Sequence, residues 1–141
     1  MALLYSMDPV RRRVTVTATA QPTYAEFSAL IDAVVREPAF EPGDDILWDR
    51  RAYIDVPTRD YIERIVVWWQ RCLPQLGYGR VANVVPGARS AAYGMARMAE
   101  LMGKPDGHLR AFNDLAEAIR WLDERFAHGP VEHATQLPDS R

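Results

Sequence analysis

Residues 23–49, TYAEFSALIDAVVREPAFEPGDDILWD, decide the fold. Thr23 is followed three residues later by Glu26, the spacing of a capping box. Phe27, Leu30, Ile31, Val34 and Val35 then recur at i, i+3, i+4, i+7 and i+8, the stripe of an amphipathic helix. Pro38 ends it, and residues 39–44 (AFEPGD) read as a loop. Residues 45–49 (DILWD) are a short, continuously apolar strand, the pattern of a strand covered on both faces in a parallel sheet. A helix that returns the chain to such a strand implies another strand before it.

That strand lies upstream. Residues 2–7 (ALLYSM) and 12–20 (RRVTVTATA) read as two strands with Asp8-Pro9 as the turn signal between them. The second alternates, with Val14, Val16 and Ala18 on one face and Thr15, Thr17 and Thr19 on the other. Downstream, Thr58 is the expected N-cap of a helix that runs to about Cys72, with Pro74 and Gly77 closing it. Residues 80–85 (RVANVV) form a buried strand, 88–102 a helix, and 108–112 (HLRAF) the last strand. Asp114 caps a final helix, with Glu117 completing a second capping box. Its stripe is Leu115, Ala118, Ile119, Leu122 and Phe126. The order is ββαβαβαβα. It predicts an α/β fold with a mixed sheet of about five strands, four helices and right-handed crossovers. The domain spans 1–127, and the polar, aperiodic residues 128–141 are expected to be a flexible tail.

Composition bounds the function. The 141 residues make one ordinary domain, and 48% hydrophobic with 26% charged residues is the balance of a folded chain. A net charge of −2 argues against a nucleic-acid partner. Lys104 is the sole lysine among 17 basic residues, which reads as coding bias. The single cysteine, Cys72, cannot form an internal disulfide and falls on an apolar helix face, as a reduced core thiol does. Residues 1–7 are too short for a signal segment, and no apolar run reaches the ~20 residues of a membrane span. The expected location is cytoplasmic.

Several short segments carry a family resemblance. They are Ile46-Leu47-Trp48-Asp49-Arg50, Arg80-Val81-Ala82, Ala92-Tyr93-Gly94-Met95-Ala96-Arg97-Met98, and Arg110-Ala111-Phe112-Asn113-Asp114 with Glu117-Ala118 and Trp121-Leu122. With the element order, they make the chain resemble the bacterial SpoIIAA-like family of STAS/SEC14-type domains, over roughly residues 2–126. The resemblance implies a regulatory binding module without enzymatic activity. The family switch it implies is a phosphorylatable serine after an Asp at the start of the second helix. Here that stretch is Asp55-Val56-Pro57-Thr58, so the serine position falls on Val56 or Pro57, and Thr58 already has a capping role. The SEC14 part of the resemblance implies an apolar, lipid-like ligand.

Two candidate sites follow from the residues. Ligands of parallel sheets gather at the carboxyl ends of strands. There Asp49, Arg50, Arg89 and Ser90 could hold an anion at the start of the 88–102 helix. The alternative is that Asp49 and Arg50 pair with each other or with neighbours, and that Asp114 merely caps. The second candidate is the helix after Thr58. Ile62, Ile65, Val66, Trp69 and Leu73 form its core stripe, and Tyr61 and Trp68 lie on an adjacent row. Neighbouring residues on a helix point ~100° apart, so its apolar face is wider than a surface helix needs. Tyr61, Ile65, Trp68 and Trp69, with Met95, Met98 and Met102, are therefore candidates for a dimer surface, a partner surface or an apolar pocket, with plain core packing as the alternative.

No metal, cofactor or enzyme motif is present. His128 and His133 fall in the tail, His108 starts a strand, and an enzyme using Asp49, Arg50 and Ser90 is the weakest reading. The expected function is a non-enzymatic module acting through a protein surface, as a homodimer or on a protein partner. The alternative is a carrier of a small apolar molecule between the Trp69 and Met98 helices.

Overall fold

The computed structural model describes residues 3–52, 57–87 and 108–124, with Gly94 and Arg97 as single positions. Five strands are hydrogen-bonded in chain order: β1 (Leu3–Asp8), β2 (Arg13–Ala18), β3 (Asp45–Asp49), β4 (Val81–Val84) and β5 (Leu109–Phe112). β1 and β2 form an antiparallel hairpin, and the β2–β3, β3–β4 and β4–β5 pairs are parallel. Helix α1 (Tyr24–Val35) joins β2 to β3, and α2 (Arg59–Leu76) joins β3 to β4. Residues 115–124 form a further helix, α3. The α/β class and mixed five-stranded sheet expected from the sequence are therefore present. Of the expected 88–102 helix, the two described residues, Gly94 and Arg97, are helical. Residues 128–141 lie outside the described residues.

Strand order explains the layers. When parallel neighbours follow one another in sequence, crossovers of one hand lie on one face of the sheet. Accordingly α1 and α2 share a face, where Phe27, Leu30, Ile65 and Trp69 pack on Val14, Val16, Ile46 and Trp48. α3 follows the last strand and has no crossover to make. It covers the opposite face, placing Ala118, Trp121 and Leu122 on Leu47, Ala82, Val84 and Phe112. The middle of β3 is thus continuously apolar because Ile46 and Trp48 feed one layer and Leu47 the other.

Polar contacts fix the ends. Thr23 and Glu26 make both bonds of the capping box on α1. Thr58 Oγ1 accepts from the Tyr61 backbone N–H at 3.2 Å, and Asp114 Oδ1 from the Ala116 N–H at 3.2 Å. Arg12 adopts a left-handed backbone (φ 54°) after the hairpin turn. Its guanidinium clamps both carboxylate oxygens of Asp44, at 2.8 and 2.7 Å. Arg13, itself buried, pairs with Asp123 and so ties β2 to α3.

One element end differs from expectation. α2 does not stop near Cys72 but continues to Leu76, with Pro74 inside its last turn. A proline costs a helix one donor, and close to the end that loss is small. The Pro74 carbonyl accepts from the Gly77 N–H at 3.2 Å, and the Tyr78 N–H reaches the Leu73 carbonyl at 3.0 Å. Gly77 then takes the left-handed cap (φ 82°).

Candidate functional site

The carboxyl ends of β3 and β4 are the first place to look. Successive strand residues point to opposite faces, and this separates the two residues the sequence grouped. Asp49 lies on the α3 side of the sheet, in register with Thr17 and Val84. Arg51 grips it from two residues on, with guanidinium bonds of 2.9 Å to each carboxylate oxygen and a backbone N–H bond of 3.0 Å. These bonds hold the Asp49 carboxyl below its ordinary range. Arg50 sits on the α1–α2 side instead, buried at 8% exposure. Asp49 and Arg50 therefore do not share one anion site, and pairing with a neighbour is what Asp49 does. Arg89 and Ser90 lie outside the described residues, as do Met95, Met98 and Met102.

The Asp49–Arg51 pair has a pH consequence. A carboxylate whose folded pKa is depressed stabilises the fold above its unfolded value and loses that contribution as pH falls through the folded one. Stability is expected to decline below the ordinary value of 3.8. Asp49→Asn removes that part of the decline. At neutral pH, urea denaturation of the variant is expected to show a loss of under about 1 kcal/mol, because the pair is partly solvated.

Arg50 lines a recess with Phe27, Trp48, Tyr61, Trp69 and Asn83. Its volume is about 30 Å³, room for water rather than for an acyl chain. Asn83 Oδ1 is buried there and accepts no hydrogen bond from the described residues. Ile65 and Trp69 stay in the core lining this recess, and the Tyr61 hydroxyl donates to the Pro22 carbonyl, tying α2 to the segment before α1.

Trp68 behaves differently. Trp69 points into the core, with its ring 5.7 Å from Trp48 and nearly perpendicular to it. Trp68, one residue earlier, turns into the seam between α2 and α1. Its ring lies 5.1 Å from Trp69 and 5.2 Å from Phe27. The wide apolar face is thus partly used by α1. What remains is an open groove of about 440 Å³ along α2, lined by Tyr24, Glu63, Arg64, Val67, Trp68 and Arg71. Val67 is 47% exposed there.

The groove is electrostatically lopsided. Glu63 is engaged by Arg59 at 3.1 Å. The Arg64 guanidinium stacks over the Tyr24 ring at 4.8 Å, and among the described residues neither Arg64 nor Arg71 has a carboxylate partner. Tyr24, Arg64 and Arg71 were missed as site residues from sequence. The readable signal was the row Arg64, Val67, Trp68 and Arg71, spaced i, i+3, i+4 and i+7 on one helix face.

The remaining chemistry is sparse. Burial, with the Asp32 charge adding to it, pushes the Cys72 thiol up, which disfavours the thiolate. Among the described residues no group of three His, Cys, Asp or Glu could hold a metal ion, and no described helix is long and apolar enough to cross a membrane. Comparison of the chain with protein-family models, with curated proteins and with solved structures returned no match.

Proposed function

We propose that the protein is a non-enzymatic, STAS-like regulatory or binding module that acts through the α1–α2 face. The observation that carries this reading is the groove in which Trp68 and Val67 are flanked by Arg64, Arg71 and Tyr24. Trp, Tyr and Arg are the residue types that dominate binding energy at protein interfaces. They combine a large apolar contact with a charge or hydroxyl that fixes orientation. Trp68 is half-buried and held by two aromatic neighbours, so ordering it on binding costs little side-chain entropy. Arg64 and Arg71, which have no carboxylate partner among the described residues, select a protein segment with carboxylates beside an apolar anchor. The described order, ββαβαββ with a helix after β5, is the α/β frame on which the STAS-like part of this reading rests. The alternative, a carrier, places its cavity between the Trp69 and Met98 helices, and Met98 lies outside the described residues.

Selection of a random peptide library against the folded protein tests this. The expected peptides carry acidic residues flanking an aromatic or aliphatic anchor. Val67→Glu puts a negative charge in the middle of the groove at an exposed position. It is expected to weaken such a peptide about tenfold or more, equivalent to roughly 1.4 kcal/mol per decade, with an unchanged melting curve. Peptides that bind Val67→Glu as well as the unmodified protein would overturn the reading. So would binding to anionic lipid vesicles with no peptide selected.

A further inference from the structure

β1 is an edge of the sheet. It pairs with β2 alone, and among the described residues no strand lies on its other side. An edge presents a row of backbone N–H and C=O groups to any strand of suitable shape. Proteins usually blunt such edges with proline, lysine or a bulge. The LLYSMD segment holds no proline or lysine, and its one charge, Asp8, is at its end. Leu4 is 59% exposed.

An apolar groove runs beside this edge. It measures about 310 Å³ and is walled by Leu3 and Tyr5 of β1 and by Ala25, Ala29 and Ala33 of α1. Its one charged lining residue, Glu26, already accepts the Thr23 backbone N–H. The groove lies on the same face as Leu3, Tyr5 and Met7, which all pack toward α1.

We propose that this face takes a second copy of the chain, with β1 pairing antiparallel to its counterpart about a two-fold axis and the two sheets joining. Three features favour a second copy over an extended segment of another protein. The first is the register. Residues directly opposite in an antiparallel pair share a face. One face-matched register sets Tyr5 against the partner's Tyr5 and Leu3 against the partner's Met7, so the partner delivers apolar side chains to the groove. The second is helix placement. α1 walls the groove above β1 with Ala25, Ala29 and Ala33, so a two-fold axis at the β1 edge turns the two α1 helices toward each other across it. Alanines four residues apart leave room for that approach, and a lone peptide strand would leave them uncovered. The third is area. β1 has 6 residues and α1 has 12, each about 20 Å long. A face of that length, one strand and one helix deep, buries on the order of 1,000 Å² in total, the lower bound for a specific dimer.

Light scattering coupled to size exclusion, from micromolar to near-millimolar concentration, tests this independently of the Trp68 groove. The unmodified protein is expected to dimerise with rising concentration. Ala29 is exposed, so Ala29→Arg is expected to fold normally and raise the dimer dissociation constant by about tenfold or more. Ala25→Arg, also at an exposed position, serves if Ala29→Arg proves unstable. A protein that stays monomeric throughout overturns the proposal. So does a dimer that survives both alanine variants and is lost in Val67→Glu, since that places the contact on the other face.

Discussion

Gly79→Ala is expected to cost about 3 kcal/mol or more of stability, the upper end for a single overpacked position. A Cβ at Gly79 would sit 2.1 Å from the Asp44 carbonyl oxygen and 2.9 Å from the Gly43 carbonyl oxygen. Both are backbone atoms, so no side chain can swing aside. The neighbouring groups are also fixed. Asp44 is held by Arg12, and the Gly43 N–H donates to the Leu76 carbonyl at 2.9 Å. The loop after α2 therefore rests directly on the loop before β3, and the two set how β3 and β4 align. Thermal and urea unfolding check this, with a fall in midpoint of roughly 2–4 °C per kcal/mol for a chain of this size. Gly94→Ala is the control. Gly94 is helical, and among the described residues nothing lies within 4 Å of its added Cβ. The same substitution there is expected to stabilise slightly.

Trp48→Ala is the second large effect, expected at about 3–5 kcal/mol. Trp48 is 3% exposed in the middle strand of the sheet. Its ring stacks on Phe27 at 4.9 Å with 20° between planes and meets Trp69 edge-on. It is thus the residue through which β3, α1 and α2 touch, and removing it empties space that three elements line. Urea denaturation checks the loss. Trp48→Phe, which keeps a ring in the site, is expected to cost less. Because Trp68 leans on Phe27 and Trp69, Trp48→Ala should also loosen the groove residues indirectly. That is why Val67→Glu, at an exposed position, is the cleaner probe of binding.

Much of the fold was legible because its determinants are local. The Thr23–Glu26 box, the Phe27 to Val34 stripe and the apolar run at 45–49 each specify an element without help from the rest of the chain. β3 falls on the residues the pattern named, Asp45–Asp49. Pro74 misled because a proline removes only its own bond back to the Gln70 carbonyl, and the helix runs on past it to the Gly77 cap.

The site was less legible for the same physical reason. Asp49 and Arg50 are neighbours in sequence, yet strand alternation sends them to opposite faces. Trp68 could be read as surplus apolar surface beside the core residue Trp69, but only the position of α1 shows how much of it is used. Arg64 and Arg71 look like ordinary solvated helix charges until Tyr24 and Trp68 are seen between them. The edge groove at Ala29 needs both the strand order and the placement of α1, neither of which a single sequence states.

A binding surface at the Trp68 groove is the first part of the protein to respond when a partner is added. The most direct test is an amide chemical-shift map of the protein titrated with a peptide selected against it. The largest shifts are expected at Tyr24, Arg64, Val67, Trp68 and Arg71, with loss of those shifts in Val67→Glu. Largest shifts at Arg50 and Asn83, with the groove unmoved, would contradict it.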